Sequence, residues 1–147
     1  MHGNNKKGLF NHPDKLLSTV LGLVAIHSLA MGLILIAQPA ALMKFAGFNP
    51  DCEHFFPTQG GVFHLLMFVV YLMGAIHIEK YHHFIVFSIF VKAVATFFLI
   101  MYCFANEFKW IVFLSGIGDG VMGLMIFLAF QQYLRFKKLA ALEVKNE

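Results

Sequence analysis

Residues 110–134 read WIVFLSGIGDGVMGLMIFLAFQQYL, a run whose only residue charged at neutral pH is Asp119. As a helix rising about 1.5 Å per residue it spans roughly 37 Å, more than the roughly 30 Å of a bilayer's hydrocarbon core. A carboxylate at that depth costs several kcal/mol unless it is paired or hydrated. Asp119 must therefore face other protein, and Gly116, Gly120 and Gly123 around it supply the small surface that lets a second membrane helix approach closely. The stretch demands a bundle.

Three further apolar segments can be cut at charged or proline-containing punctuation, over residues 16–38, 60–78 and 84–104. Each is about long enough to span. The fourth, 110–134, exceeds the requirement and is expected to continue as helix through Phe136 and Lys138. The spacing therefore predicts an all-α, integral membrane four-helix bundle, with residues 1–147 forming one membrane domain. Strict alternation of apolar and polar residues is absent, which argues against a transmembrane barrel. Composition agrees: mean hydropathy is +0.73 and only 13% of residues are charged, about half the usual fraction in soluble domains.

Orientation follows from the basic residues, which are retained on the cytoplasmic side. Lys6, Lys7, Lys15, Lys80, Arg135, Lys137, Lys138 and Lys145 fall on one side, against Lys44 and Lys109 on the other. Both termini and the turn at residues 79–83 are expected in the cytoplasm, with the 39–59 loop and the 106–109 turn outside. The net charge of +3 is accounted for by these lysines, and no basic face with stacking aromatics points to nucleic acid. The first apolar run is too long for a cleavable signal and has no small-residue cleavage site.

Lys92 is the second charge within a membrane segment. Counted from the cytoplasmic ends, Lys92 lies about 12 Å deep and Asp119 about 17 Å, an offset that a lysine side chain covers. Lys92 shares a helical stripe with Ser88, Ala95, Thr96 and Cys103, so both charges are expected to point inward and form an intramembrane ion pair. Gly116, Gly120 and Gly123 would form the packing surface of that contact. His64 and Tyr71, seven residues apart on one face, are expected to join Gln59 in a polar pocket opening outward between the second, third and fourth segments.

His27 and His64 stand at similar heights, about 17 and 21 Å. Histidines from two helices can supply both axial ligands of haem b, and one can ligate a chlorophyll-like pigment; as core histidines they need no cofactor. Cys52 and Cys103 both fall toward the outer side, where a disulfide is permitted, but they form no CxxC pair. Asp51, Cys52, Glu53 and His54 are metal-capable types without a strong metal spacing. No metal site is assigned, and no catalytic triad or phosphate-binding loop emerges.

The run Phe56-Pro-Thr-Gln-Gly-Gly, Lys92 in the third segment and Gly118-Asp-Gly in the fourth resemble the DoxX-like group of small membrane proteins. Residues 21–39, with Gly22, Gly32 and Pro39, resemble that group's first helix and the loop after it. The resemblance covers about residues 16–133, and departs where Thr58-Gln59-Gly60-Gly61 stands in place of an arginine. It implies a four-helix bundle in a bacterial inner membrane and, for some members, association with quinone-linked or thiol redox systems as non-catalytic partners.

The leading expectation is therefore a non-enzymatic accessory or assembly subunit of a larger membrane complex for electron transfer, touching lipid and either other subunits or a second copy of itself. One alternative is a small proton-coupled transporter using Asp119, Lys92 and His64. The other is a haem- or pigment-binding protein using His27, His64 or both.

Overall fold

The computed structural model describes residues 12–48, 54–106 and 108–145. Among the described residues five helices follow one another: α1 (Pro13–Ala37), α2 (Ala40–Phe45), α3 (Phe55–Ile76), α4 (His82–Ala105) and α5 (Trp110–Lys145). Among the described residues, four helices, α1, α3, α4 and α5, are long and apolar enough to cross a membrane. A bilayer-spanning bundle touches lipid over most of its surface. Accordingly, Leu23, Ile26, Phe90, Phe97 and Leu124 are exposed, while the core is small, built on Leu17, Leu21, Met67, Tyr71, Ile85 and Ile126.

The boundaries differ from the sequence expectation in ways that proline explains. Helix α3 begins at Phe55, five residues before Gly60, because Pro57 sits in its first turn, where a missing N–H forfeits no helical bond. Pro13 likewise starts α1. The 39–59 loop contains the short helix α2, and α5 runs on past Lys138 to Lys145.

Helices α1 and α3 pair, as do α4 and α5, and the two pairs join through α1 with α5 and α3 with α4. The α1/α3 crossing is a backbone approach. A Cβ on Gly61 would lie 2.8 Å from the Gly32 carbonyl oxygen and 2.7 Å from Ile36 Cγ1, and one on Gly32 only 2.8 Å from Leu65 Cδ2. Polar contacts reinforce the same pair: the Ser18 hydroxyl donates to the Ala75 carbonyl at 2.7 Å.

Gln38 caps α1 in the left-handed region at φ 44°, a conformation that costs a non-glycine residue of order 1 kcal/mol. Its side chain offsets this. The amide nitrogen donates to the His54 carbonyl and to Thr58 Oγ1, each at 3.0 Å, and the amide oxygen accepts from His54 Nδ1 at 2.7 Å. The end of α1 is thereby tied to the start of α3. On the same side, Lys109 Nζ donates to the Gly47 carbonyl and Trp110 meets Phe45 edge-on at 5.5 Å. At the opposite end, Glu79 in the α3–α4 turn accepts from Lys137 Nζ at 2.8 Å and from the Tyr133 hydroxyl at 3.4 Å. The continuation of α5 thus covers that turn.

The Lys137 hydrogen bond and charge hold the Glu79 carboxyl below its ordinary value of 4.5. A depressed folded-state pKa contributes stability that is complete above the unfolded value and fades as pH falls through the folded one. The gain is small because both side chains are exposed. Melting temperature in detergent should therefore decline slightly on acidification below the ordinary carboxylate range, and Glu79→Gln should remove that part of the decline. The glycines give a larger contrast. Gly61→Val should destabilise by about 1–3 kcal/mol through overpacking. Gly118→Ala, where a Cβ meets nothing within 4 Å, should be neutral or stabilising in the same thermal unfolding series.

Candidate functional site

Lys92 and Asp119 are both buried, at 3% and 8% exposure, and Lys92 Nζ donates to Asp119 Oδ1 in a direct salt bridge between α4 and α5. The local sequence makes this contact geometrically available. A Cβ on Gly116 would meet Leu99 Cβ at 3.1 Å and Ile100 Cγ1 at 3.2 Å; on Gly120, Thr96 Cγ2 at 3.2 Å; on Gly123, Lys92 Cβ at 2.9 Å. The glycines descend α5 as Ile100, Thr96 and Lys92 descend α4, which is the register of antiparallel neighbours. The Thr96 hydroxyl donates back to the Lys92 carbonyl at 2.7 Å, and that of Ser88 to Phe84 at 2.7 Å, so neither competes for the pair.

A cavity of about 170 Å³ lies beside the salt bridge. Its polar lining is Ser28, His64, Tyr71, Lys92 and Asp119, so all four long helices contribute. Lys92 Nζ sits over the Tyr71 ring, 5.6 Å from its centroid. Ser28 donates to the His64 carbonyl at 2.9 Å, and its oxygen lies 3.3 Å from His64 Nδ1. With the Ser28 proton committed to the carbonyl, its oxygen is left to accept. This sets the His64 proton on Nδ1 and leaves Nε2 with a free lone pair.

Three sequence expectations are corrected by this geometry. Gln59 is exposed and lies off the cavity. Five residues before His64 places it about 140° around the helix, whereas Tyr71, seven residues after, returns to within about 20°. The cavity is not confined to the second, third and fourth spanning helices, because α1 closes it through Ser28. His27 has the height of its neighbour Ser28 but is turned outward and exposed, and it does not line the cavity that His64 borders. Helical rise alone does not report rotation about the axis.

Ser28, Phe63, Met67, Val91, Phe98 and Leu99 are the lining residues that sequence reasoning missed. For Ser28 the signal was present: Leu17, Leu21, Val24, Ser28 and Gly32 are buried on α1 at spacings of three and four, the stripe of a core-facing helix. Cys103 is buried, with its thiol 3.9 Å from the Lys109 carbonyl. Asp51, Cys52 and Glu53 lie outside the described residues, so the disulfide and the outer-loop cluster have no described geometry beyond His54 on Gln38. Among the described residues, no group of three or more metal-capable side chains converges.

No protein-family model, curated protein or solved structure matches the chain.

The arrangement can bind through hydrogen bonds while keeping its own charges compensated. Removing either charge strands the other, which typically costs about 3–5 kcal/mol for a buried pair, whereas replacing both by apolar groups is often neutral. Lys92→Met and Asp119→Leu should each lower the detergent melting temperature sharply. The double variant should recover most of the loss, as thermal unfolding of the three proteins side by side would register.

Proposed function

We propose that the chain is a non-enzymatic membrane protein that binds a ligand in the cavity beside Lys92 and Asp119. It acts as an accessory subunit of a larger complex in a bacterial inner membrane, with both termini in the cytoplasm. The observation that carries the binding reading is unused hydrogen-bonding capacity at the cavity. Among the described residues Lys92 Nζ bonds only Asp119 Oδ1, leaving two N–H groups, and Asp119 Oδ2, His64 Nε2 and the Tyr71 hydroxyl have no hydrogen-bond partner. A clamp that served folding alone would gain nothing from a cavity at its side.

The non-enzymatic part rests on the same pair. An ammonium held by a carboxylate is neither a free nucleophile nor a free base. The accessory part and the bacterial inner membrane are supported by the DoxX-like resemblance, and the cytoplasmic termini by the eight basic residues against two.

One observation favours a proton-coupled carrier as a second reading: His64, Lys92 and Asp119 border one cavity, as relay groups in transporters do. A carrier also requires water access from each side in turn. The exposed lining residues here, Phe63 and Phe98, instead face the hydrocarbon. For the haem or pigment reading, the cavity that His64 borders does not include His27, which is exposed.

Solubilising the native membrane in mild detergent, then recording an absorption spectrum and intact-particle mass spectrum, tests the proposal. It predicts a particle containing further subunits and a small molecule released from this chain on denaturation. A colourless homodimer carrying no small molecule would contradict it. Solute uptake by proteoliposomes of the pure protein, abolished in Asp119→Asn, would establish the carrier instead.

A further inference from the structure

The cavity has a polar end and an apolar mouth. Its polar groups are deep: Ser28 is 1% exposed, Tyr71 2% and Lys92 3%. The remaining lining is apolar, and two of those residues face out of the bundle, Phe63 on α3 at 50% exposure and Phe98 on α4 at 61%. Phe63 is eight residues into α3 and Phe98 seven from the end of α4. Both therefore lie about 10–12 Å below the same bundle end, within the hydrocarbon. The α3/α4 contact is the loosest of the four neighbouring pairs. The cavity thus opens sideways to lipid between these helices.

The Tyr71 hydroxyl decides what this opening admits. It belongs to a side chain 98% shielded from the surroundings, with no hydrogen-bond partner among the described residues. Yet no sealed side-chain nitrogen or oxygen there lacks a partner, so the hydroxyl must reach the cavity surface. With the spare Lys92 N–H groups it offers donors, and Asp119 Oδ2 and His64 Nε2 offer acceptors. The charges of Lys92 and Asp119 cancel, so a charged guest would bring an uncompensated charge into the hydrocarbon. A cavity of about 170 Å³ is close to the roughly 150 Å³ that accommodates benzene. It holds a head and a few carbons, leaving any longer body between α3 and α4.

We infer that the cavity takes the head of a neutral, single-chain amphiphile bearing a hydroxyl or carbonyl, which enters from the bilayer between Phe63 and Phe98. This rests on the ligand-binding reading above and adds the ligand's class and route. The head oxygen accepts from Lys92 Nζ and Tyr71, a head hydroxyl donates to Asp119 Oδ2 or His64 Nε2, and the alkyl body lies against Met67, Val91 and Phe98.

The test uses the full chain in lipid nanodiscs with a hexadecanol analogue carrying a diazirine near its head. Photolabelling should map to Phe63, Met67, Ala95 or Phe98 and be competed by unmodified hexadecanol, but at least tenfold less effectively by palmitate or hexadecyltrimethylammonium. Ala95→Phe, which adds a ring at a lining position that is not itself part of the salt bridge, should abolish it. Tyr71→Phe, losing one hydrogen bond, should weaken competition by hexadecanol about fivefold. Labelling spread evenly around the bundle and unchanged by Ala95→Phe would overturn the inference, as would equal competition by the charged amphiphiles. If pocket labelling is absent but a water-soluble molecule co-purifies with the wild type and not with Ala95→Phe, the lipid class falls and the ligand-binding reading stands. Absence of both overturns both.

Discussion

The salt bridge between Lys92 and Asp119 is the constraint on which the rest of the bundle depends. In hydrocarbon neither charge has water to fall back on, so α4 and α5 must approach closely enough for direct contact. That closeness is possible because Gly116, Gly120 and Gly123 present backbone to Leu99, Ile100, Thr96 and the base of Lys92. The glycines are the geometric condition of the electrostatic one. A β-carbon at Gly123 would push against the lysine whose head Asp119 holds.

The molecule is two tight helix pairs with a looser seam between them. Gly32 and Gly61 bring α1 and α3 into backbone contact as the α5 glycines do for α4 and α5. Where the pairs meet, Ser28, His64 and Tyr71 from one confront Lys92 and Asp119 from the other. Close packing within each pair leaves the mismatch at the junction, so the cavity and the polar groups coincide. The turn held by Glu79, Lys137 and Tyr133 closes one end of the seam, and the Gln38 network closes the α1/α3 corner at the other.

The four spans were legible because hydrophobic length is a strong signal, and the meeting of Lys92 with Asp119 because two lone charges in hydrocarbon have few alternatives to each other. Depth could be counted from the segment ends. Rotation could not, since it depends on which stripe each helix buries: Gln59 and His27 stood at useful heights yet turned outward, while Ser28, one residue from His27, turned in. The start of α3 was obscured because Pro57 reads as a breaker when it is in fact tolerated in a first helical turn. The sideways opening at Phe63 and Phe98 had no signal at all, because a phenylalanine facing lipid and one flanking a cavity look alike in a sequence so rich in them.

The most direct test of the account is the distance between the two charged groups in a bilayer. Solid-state NMR with ¹⁵N-lysine and ¹³C-aspartate in lipid should detect a dipolar coupling between Lys92 Nζ and the Asp119 carboxyl consistent with contact within about 4 Å, with the carboxyl carbon at the shift of a carboxylate, and both signals should vanish in Asp119→Asn. A protonated carboxyl with no coupling to any lysine nitrogen would contradict the account, since the glycine-lined contact and the neutral cavity both presuppose the pair.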